Sequence, residues 1–271
     1  MSTGYFAGPT PRVFGHRGAA GLAPENTLPS FALGLALGAD MLELDVHASR
    51  DGVIVVFHDP TLERTTNGTG AVRERSQYEL QQLDAGYHYT RDGHDYPYRG
   101  QGLRIPTLEA VLKDFPLAYC NIEIKQADPP IVAQVVEVIQ RLDAQHRVLL
   151  AAEDDAIMQE IHHLAGDIAT SFSATEVADF IARVQTGNWA GYRPSGQALQ
   201  IPPRFNDIEL VTKESVAAAH HRGLEVHVWT INDADEMKRL LALGIDGIIS
   251  DVPGLARVVV NDFAKQKAQS S

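Results

Sequence analysis

The length, composition and charge of this chain exclude several classes of protein. It has 271 residues, 44% of them hydrophobic, and a formal net charge of -12. A chain of this size can form one α/β barrel, which takes about 250 residues, with a sizeable core. The negative charge disfavours nucleic acid and anionic membrane surfaces as partners, because phosphate groups repel it. The one cysteine, Cys120, excludes an internal disulfide and suits a reducing cytoplasm.

The N-terminal residues 1–11 lack the basic and apolar segments that make up a secretion signal. No stretch approaches the roughly 18 apolar residues that a membrane-spanning helix needs. We therefore expect a soluble cytoplasmic protein without membrane insertion. The sequence leaves the number of subunits open.

Short strand-like segments alternate with helix-like segments along nearly the whole chain. Parallel-type strands are predicted near residues 12–15, 41–46, 117–124, 147–151, 168–172, 198–201, 224–229 and 245–249. Helices are predicted at residues 28–37, 107–114, 130–141, 154–164, 174–184, 213–222, 233–242 and 253–267. This number of βα units in a chain of this length indicates an α/β fold, the TIM (β/α)8 barrel, more than an open sheet.

A hairpin is predicted around Asp51-Gly52. These two residues separate the strand at 41–46 from a second apolar segment at 53–57, which leaves too few residues for a crossover helix. A turn centred on them would place Asp45 opposite His58, with both side chains on one face.

Residues 60–105 are a second departure from the βα alternation. They have little apolar periodicity and are too long for an ordinary connection. We predict that residues 1–271 form a single barrel domain, in which residues 60–105 are an insertion over the barrel mouth after the second βα region. The aromatic stretch at 87–98 could contact a substrate head group, and a solvated loop is an equal alternative.

Ionisable side chains lie at or near the ends of several predicted strands. They are His16, Glu43, Asp45, His58, Glu123 and Lys125. Such groups are costly inside apolar strands unless they meet a partner or a metal. The functional face of a barrel enzyme lies at the C-terminal ends of its strands, so we expect these side chains to share one site.

The residue types in this set indicate a metal site with acid–base groups beside it. Glu43 and Asp45 share one face of their strand, and with Glu123 they supply three carboxylates. Carboxylates suit Mg²⁺ or Ca²⁺, whereas zinc favours more nitrogen or sulfur. His16 and His58 remain as a general acid and base, and which is which stays open.

The charges of the site limit the class of possible substrates. With a divalent cation, Arg17 and Lys125, the three carboxylates leave the site with a net positive charge. Such a site matches a monoanionic phosphodiester better than a neutral ester, because cations on the phosphoryl oxygens stabilise the transition state. No P-loop and no dinucleotide-binding fingerprint supports a nucleotide cofactor.

A series of motifs spanning about residues 12–260 resembles the glycerophosphodiester phosphodiesterase family. In chain order they are His16-Arg17-Gly18, Pro24-Glu25-Asn26-Thr27, Glu43-Leu44-Asp45-Val46, Phe57-His58-Asp59, Arg64-Thr65-Thr66-Asn67-Gly68, Glu123-Ile124-Lys125, Val228-Trp229-Thr230-Ile231-Asn232 and Asp246-Gly247-Ile248-Ile249-Ser250-Asp251. Ser250 stands where the family more often has threonine, a departure that affects none of the chemistry.

The resemblance implies a TIM-type barrel with an insertion after the His58-Asp59 segment. It implies one divalent cation on Glu43, Asp45 and Glu123, and an acid–base pair at His16 and His58. It further assigns Arg17 and Lys125 to the phosphate and Trp229 to the glycerol side of the substrate, although Trp229 could also be ordinary barrel packing.

The implied reaction is metal-dependent hydrolysis of a glycerophosphodiester to sn-glycerol 3-phosphate and an alcohol. The attacking group is either water or the neighbouring glycerol hydroxyl, and the head group is left open. One alternative is a lysophospholipase D-like phosphodiesterase on the same scaffold, but it would need an apolar groove and residues 60–105 are polar and aromatic. The other is a non-catalytic phosphodiester-binding barrel, which the full set of histidines and carboxylates disfavours.

Overall fold

The structure, a computed structural model, describes residues 4–269. Its strands are β1 Arg12–Gly15, β2 Met41–Ala48, β3 Ile54–Val56, β4 Tyr119–Ile124, β5 Val148–Ala151, β6 Ala169–Thr170, β7 Ala198–Ile201, β8 Arg204–Phe205, β9 Ile208–Glu209, β10 Glu225–Val228 and β11 Gly247–Ser250. Its α-helices are α1 Leu28–Ala36, α2 Gln77–Leu80, α3 Leu108–Asp114, α4 Val132–Arg141, α5 Asp155–Leu164, α6 Ala174–Thr186, α7 Lys213–His220, α8 Ala234–Leu243 and α9 Pro253–Gln269.

Eight parallel strands form the wall of the barrel, in the order β6-β5-β4-β2-β1-β11-β10-β7. The two ends of this path meet where the backbone N–H of Gln197, next to β7, donates to the carbonyl of Thr170 in β6 at 2.9 Å. Helices connect most of these strands, and a parallel connection of this kind packs back onto the sheet. The predicted TIM-type α/β barrel is confirmed, and each of the eight predicted parallel strands is present.

Alternation along β2 decides which side chains reach the barrel interior. Leu42, Leu44 and Val46 belong to an apolar cluster with residues of α3, α4 and α5, outside the barrel wall. Glu43 and Asp45 are buried on the opposite, inner face. Period two along the strand therefore separates the apolar core from the carboxylates, as predicted.

The hairpin forms, but its register differs from the predicted one by one residue. β3 pairs antiparallel with β2, and the N–H of Phe57 donates to the carbonyl of Asp45 at 2.9 Å. Asp45 thus lies opposite Phe57, and the predicted pairing with His58 is wrong. The loop has three residues, 50–52, and Gly52 takes the positive φ of 80° that such a bulged loop requires.

Residues 60–105 contain more structure than their weak periodicity indicates. A 3₁₀ turn at Val72–Glu74 precedes α2, which begins with a capping box between Ser76 and Glu79. Apolar side chains of this segment pack with β3 in a separate cluster, which includes Val55, Phe57, Leu62, Val72, Leu80, Ala85 and Ile105. Among residues 4–269, no helix combines the length and apolar character needed to cross a membrane.

Candidate active site

A cavity of about 170 Å³ lies where the barrel strands end. Seven of the predicted site residues line it: His16, Arg17, Glu43, His58, Glu123, Lys125 and Trp229. The eighth, Asp45, is 1% exposed and lies beneath the others, with its Oδ1 at 3.5 Å from Nζ of Lys125. The structure therefore brings together all eight residues that the sequence singled out.

Three carboxylates form an acidic cluster on the inner face of β2 and β4. Glu43, Asp45 and Glu123 each offer one oxygen, and these oxygens lie within 4.8 Å of one another. The strands are direct neighbours, with Asp45 opposite Glu123 in the parallel register. A cluster of hard oxygen donors at this separation could hold a metal ion.

Two of the three buried carboxylates have raised pKa values, although Arg17 and Lys125 lie beside them. Burial, followed by the charge of Asp45, raises the pKa of Glu43 to about 7. Burial and Asp45 also raise the pKa of Glu123. Asp45 is the opposite case: burial opposes ionisation, but Arg17 and Lys125 bring its pKa below the ordinary value. A divalent cation would relieve this excess of buried negative charge, so the residues fit a metal.

His16 is held by a carboxylate on the side away from the acidic cluster. Its Nδ1 donates to Oδ1 of Asp251 at 2.6 Å, and its Nε2 lies 3.8 Å from Oε2 of Glu43. Asp251 in turn accepts from Nδ2 of Asn232 at 2.6 Å. Burial lowers the pKa of His16, but Glu43 and Asp251 outweigh it, and the net shift is upward.

His58 has the same kind of support from a different element. Its Nδ1 donates to Oδ1 of Asp59 at 2.6 Å, and Nε of Arg64 donates to Oδ2 of the same carboxylate at 2.5 Å. Burial raises the pKa of Asp59, but Arg64 and His58 lower it to about 2. With Nδ1 engaged in both histidines, Nε2 of each remains for the chemistry of the cavity.

Arg17 connects the acidic cluster to the surrounding ion pairs. Its backbone N–H donates to Oε2 of Glu43 at 2.8 Å, in a left-handed conformation with φ of 48°. Its guanidinium contacts Oδ2 of Asp45 at 3.2 Å and donates to Oε1 of Glu25 at 2.8 Å. Glu25 also accepts from Arg64 at 2.6 and 2.7 Å.

Lys125 is the second cation of the cavity. Its Nζ donates to Oε1 of Glu123 at 2.6 Å, and its side chain is 20% exposed. Arg17 and Lys125 therefore flank the acidic cluster and line the same cavity.

Sequence reasoning missed several residues that complete the site. Asp251, Asp59 and Glu25 lie inside the motifs, and Asp59 adjoins His58, but the motifs do not indicate what these carboxylates contact. The cavity is also lined by Asn121, Ser171 and Gln200, which lie within predicted strands, by Phe172, which ends one, and by Glu153, which follows one. For Phe172 and Glu153, the position at a strand end was the available signal. None of residues 87–98 lines this cavity in the described part of the chain.

The barrel and this set of side chains define a TIM-barrel hydrolase with a candidate metal centre. Residues 16–255 match the model of the Glycerophosphoryl diester phosphodiesterase family. The chain belongs to this family, which confirms the resemblance seen in the motifs.

Relatives of known name and structure agree with this assignment. A glycerophosphodiester phosphodiesterase from Caldanaerobacter subterraneus is 32% identical over 249 residues, which are 89% of this chain and 94% of the relative. The structure of an Oleispira antarctica phosphodiesterase in complex with the product sn-glycerol-3-phosphate has a TM-score of 0.74 and 30% identity, covering 93% of this chain and 97% of that one. Human lysophospholipase D GDPD1 is 27% identical over 274 residues, covering 92% of this chain and 86% of the relative.

Proposed function

We propose that this protein hydrolyses glycerophosphodiesters to sn-glycerol 3-phosphate and an alcohol. The observation that carries the proposal is a single cavity in which two carboxylate-bound histidines, His16 and His58, adjoin a cluster of three carboxylates. Family membership supports it, as does the product held by the Oleispira phosphodiesterase.

In this proposal Glu43, Asp45 and Glu123 hold one divalent cation, Mg²⁺ or Ca²⁺, because all their donors are hard oxygens. When bound, the cation polarises a phosphoryl oxygen as a Lewis acid. Without the cation, burial raises the pKa of Glu43. A bound cation would offset the buried negative charge of the three carboxylates, so we expect the site to work with the cation present.

The side chains of the cavity then divide the remaining work. His16 and His58 exchange the protons: one accepts the proton of the attacking oxygen and the other donates to the leaving alkoxide. Arg17 and Lys125 bind the phosphate oxygens through charge-assisted hydrogen bonds. Trp229, directly after β10, lines the cavity three strands away from β2 and packs against the glycerol.

We also propose that residues 1–271 form one domain with residues 60–105 inserted over the barrel mouth. The ion pairs of Arg64 with Asp59 and with Glu25 support this arrangement, because they join the start of the insertion to barrel loops.

A cytoplasmic location is proposed from the composition, in which the one cysteine, Cys120, is buried.

A direct assay tests the proposed reaction. Purified protein with Mg²⁺ or Ca²⁺ should release sn-glycerol 3-phosphate from glycerophosphocholine, and a chelator should abolish the release. The same protein should act less on lysophosphatidylcholine, because the cavity of about 170 Å³ is lined mainly by polar side chains and is small for an acyl chain. Preference for the lysolipid would favour the lysophospholipase D reaction. Binding of the diester without turnover would favour a non-catalytic barrel.

A further inference from the structure

We propose that Glu153, together with Phe172, forms a subsite for a cationic head group on the leaving alcohol. The subsite would make the protein selective for diesters of ammonium-bearing alcohols over those of neutral or anionic ones. This inference rests on the proposed phosphodiesterase function and deepens it, since the reaction itself does not require a charged head group.

Glu153 lies above the acidic cluster, toward the open side of the cavity. In the parallel register of β4 and β5, Glu123 is opposite Ala151. Glu153 follows two residues later, in the bend between β5 and α5. It is exposed and still lines the same cavity as the histidines and Lys125. An alcohol that leaves the phosphate group toward solvent would pass the carboxylate of Glu153.

Glu153 also differs from the other carboxylates of the site in its lack of a cationic partner. Within residues 4–269, no lysine, arginine or histidine nitrogen lies within 4.0 Å of its carboxylate oxygens, whereas Glu123 is bound by Lys125. Lys125 is turned instead toward the acidic cluster, where it also approaches Asp45. The charge of Glu153 is therefore available to a ligand.

The unpaired charge of Glu153 also affects which substrates bind. An uncompensated carboxylate in a site that must accept an anionic diester would oppose substrate binding. A cation on the substrate removes this conflict, because one end of the molecule then meets Arg17 and Lys125 and the other meets Glu153.

An aromatic side chain completes the subsite. Phe172, which follows β6, is 4% exposed and lines the cavity. An aromatic ring attracts an ammonium group and also packs against its methyl groups, whereas a carboxylate supplies only the charge. A carboxylate and an aromatic ring in one cavity match a quaternary ammonium better than a hydroxyl-rich head group.

Steady-state kinetics on matched diesters test the subsite. With the metal-loaded full chain, kcat/KM for glycerophosphocholine and glycerophosphoethanolamine should exceed that for glycerophosphoglycerol by about 5- to 10-fold, the range of a partly exposed cation site. Glu153→Gln keeps the shape and removes the charge. It should remove this preference, mainly by raising KM for the two ammonium diesters, and it should not lower kcat/KM for glycerophosphoglycerol. Glu137→Gln, on the outer surface of α4, is the control and should change neither.

Three outcomes would overturn the subsite. They are equal kcat/KM values for all three diesters in the unmodified protein, an unaltered preference in Glu153→Gln, and an equal loss on every diester in Glu153→Gln. The last would mean that Glu153 binds the glycerophosphate part common to all substrates. If no diester is turned over, the proposed function fails. Calorimetric binding of glycerophosphocholine and glycerophosphoglycerol to the two proteins then still decides whether Glu153 selects the cation.

Discussion

In both histidines of the cavity, Nδ1 donates a hydrogen bond to a carboxylate, but the two carboxylates accept their other hydrogen bonds from different donors. Asp59 accepts two hydrogen bonds from the guanidinium of Arg64, at 2.5 and 3.1 Å. Asp251 accepts from the neutral amide of Asn232. In each case the acceptor fixes the orientation of the ring and leaves Nε2 for the chemistry of the cavity that both rings line.

Removing one imidazole should therefore reduce turnover without unfolding the protein. We expect His58→Ala to lower kcat on glycerophosphocholine by ~10²–10⁴-fold, the range for loss of a general acid or base. The fold should persist because Asp59 keeps its ion pair with Arg64. His88→Ala, in a region that does not line the cavity, is the control for loss of a histidine. Near-normal turnover in His58→Ala would remove this residue from the mechanism.

At the scale of elements, Arg64 connects the segment 60–105 to the barrel. Its fork donates to Asp59, which orients His58, and to Glu25, which binds Arg17. The proposed acid–base group His58 and the proposed phosphate ligand Arg17 are thereby positioned by one side chain that does not itself line the cavity.

Replacing the guanidinium of Arg64 with a single ammonium group should make the positions of His58 and Arg17 less fixed. Arg64→Lys should lower kcat by roughly 10- to 100-fold, as loss of an outer-shell partner does, while metal affinity stays close to normal. For Arg64→Ala, added guanidinium should restore part of the activity, since the site of Arg64 is 48% exposed. Arg73→Lys, in an ion pair of the same segment with Asp128, should have no effect on kcat. Unchanged kinetics in Arg64→Lys would contradict the coupling.

The hairpin loop requires a left-handed backbone conformation at Gly52. Gly52 has φ of 80°, and a Cβ added there would meet no atom within 4 Å. The strain of a left-handed alanine is then the main cost of Gly52→Ala, which should destabilise the protein by about 1–2 kcal/mol in chemical denaturation. Gly254→Ala, in the first turn of α9 with ordinary contacts, should be neutral or stabilising. Equal effects at the two positions would argue against the assigned loop geometry.

For the whole molecule, the buried acidic cluster links metal binding, pH and stability. Burial raises the pKa of Glu43 from 4.5 to about 7. The stability that this group contributes is complete below its unfolded pKa and is lost as the pH rises through about 7. Asp59 has the opposite sign: its contribution is present above 3.8 and is lost as the pH falls through about 2, outside this window.

The metal-free protein should thus lose stability between about pH 5 and about pH 8, and a bound divalent cation should restore it. The rise in Tm on adding Mg²⁺ or Ca²⁺ should be larger at the higher pH, because protons compete with the metal below the pKa of Glu43. Glu123→Ala should weaken this metal effect, and part of it should return at high metal concentration. The same Tm increase at both pH values, or in the variant, would count against the ligand assignment.

The sequence alone determined the barrel and the residues grouped at its mouth. Strand and helix periodicity is a local property, and period two places Glu43 and Asp45 on the face opposite Leu44. Parallel strands share one edge, so His16, Glu123 and Lys125 could be assigned to one site before any distance was known. The motifs and their order along the chain also indicated the glycerophosphodiester phosphodiesterase family.

Only the tertiary structure decided the hairpin register and the contacts between distant segments. Asp45 pairs with Phe57 because the loop takes three residues with Gly52 in the left-handed region, a choice that the pair Asp51-Gly52 does not settle. The contacts of His16 with Asp251 and of Arg64 with Glu25 join residues 235 and 39 positions apart. Such distances follow from how the barrel closes and its loops fold over it, and no local pattern encodes them.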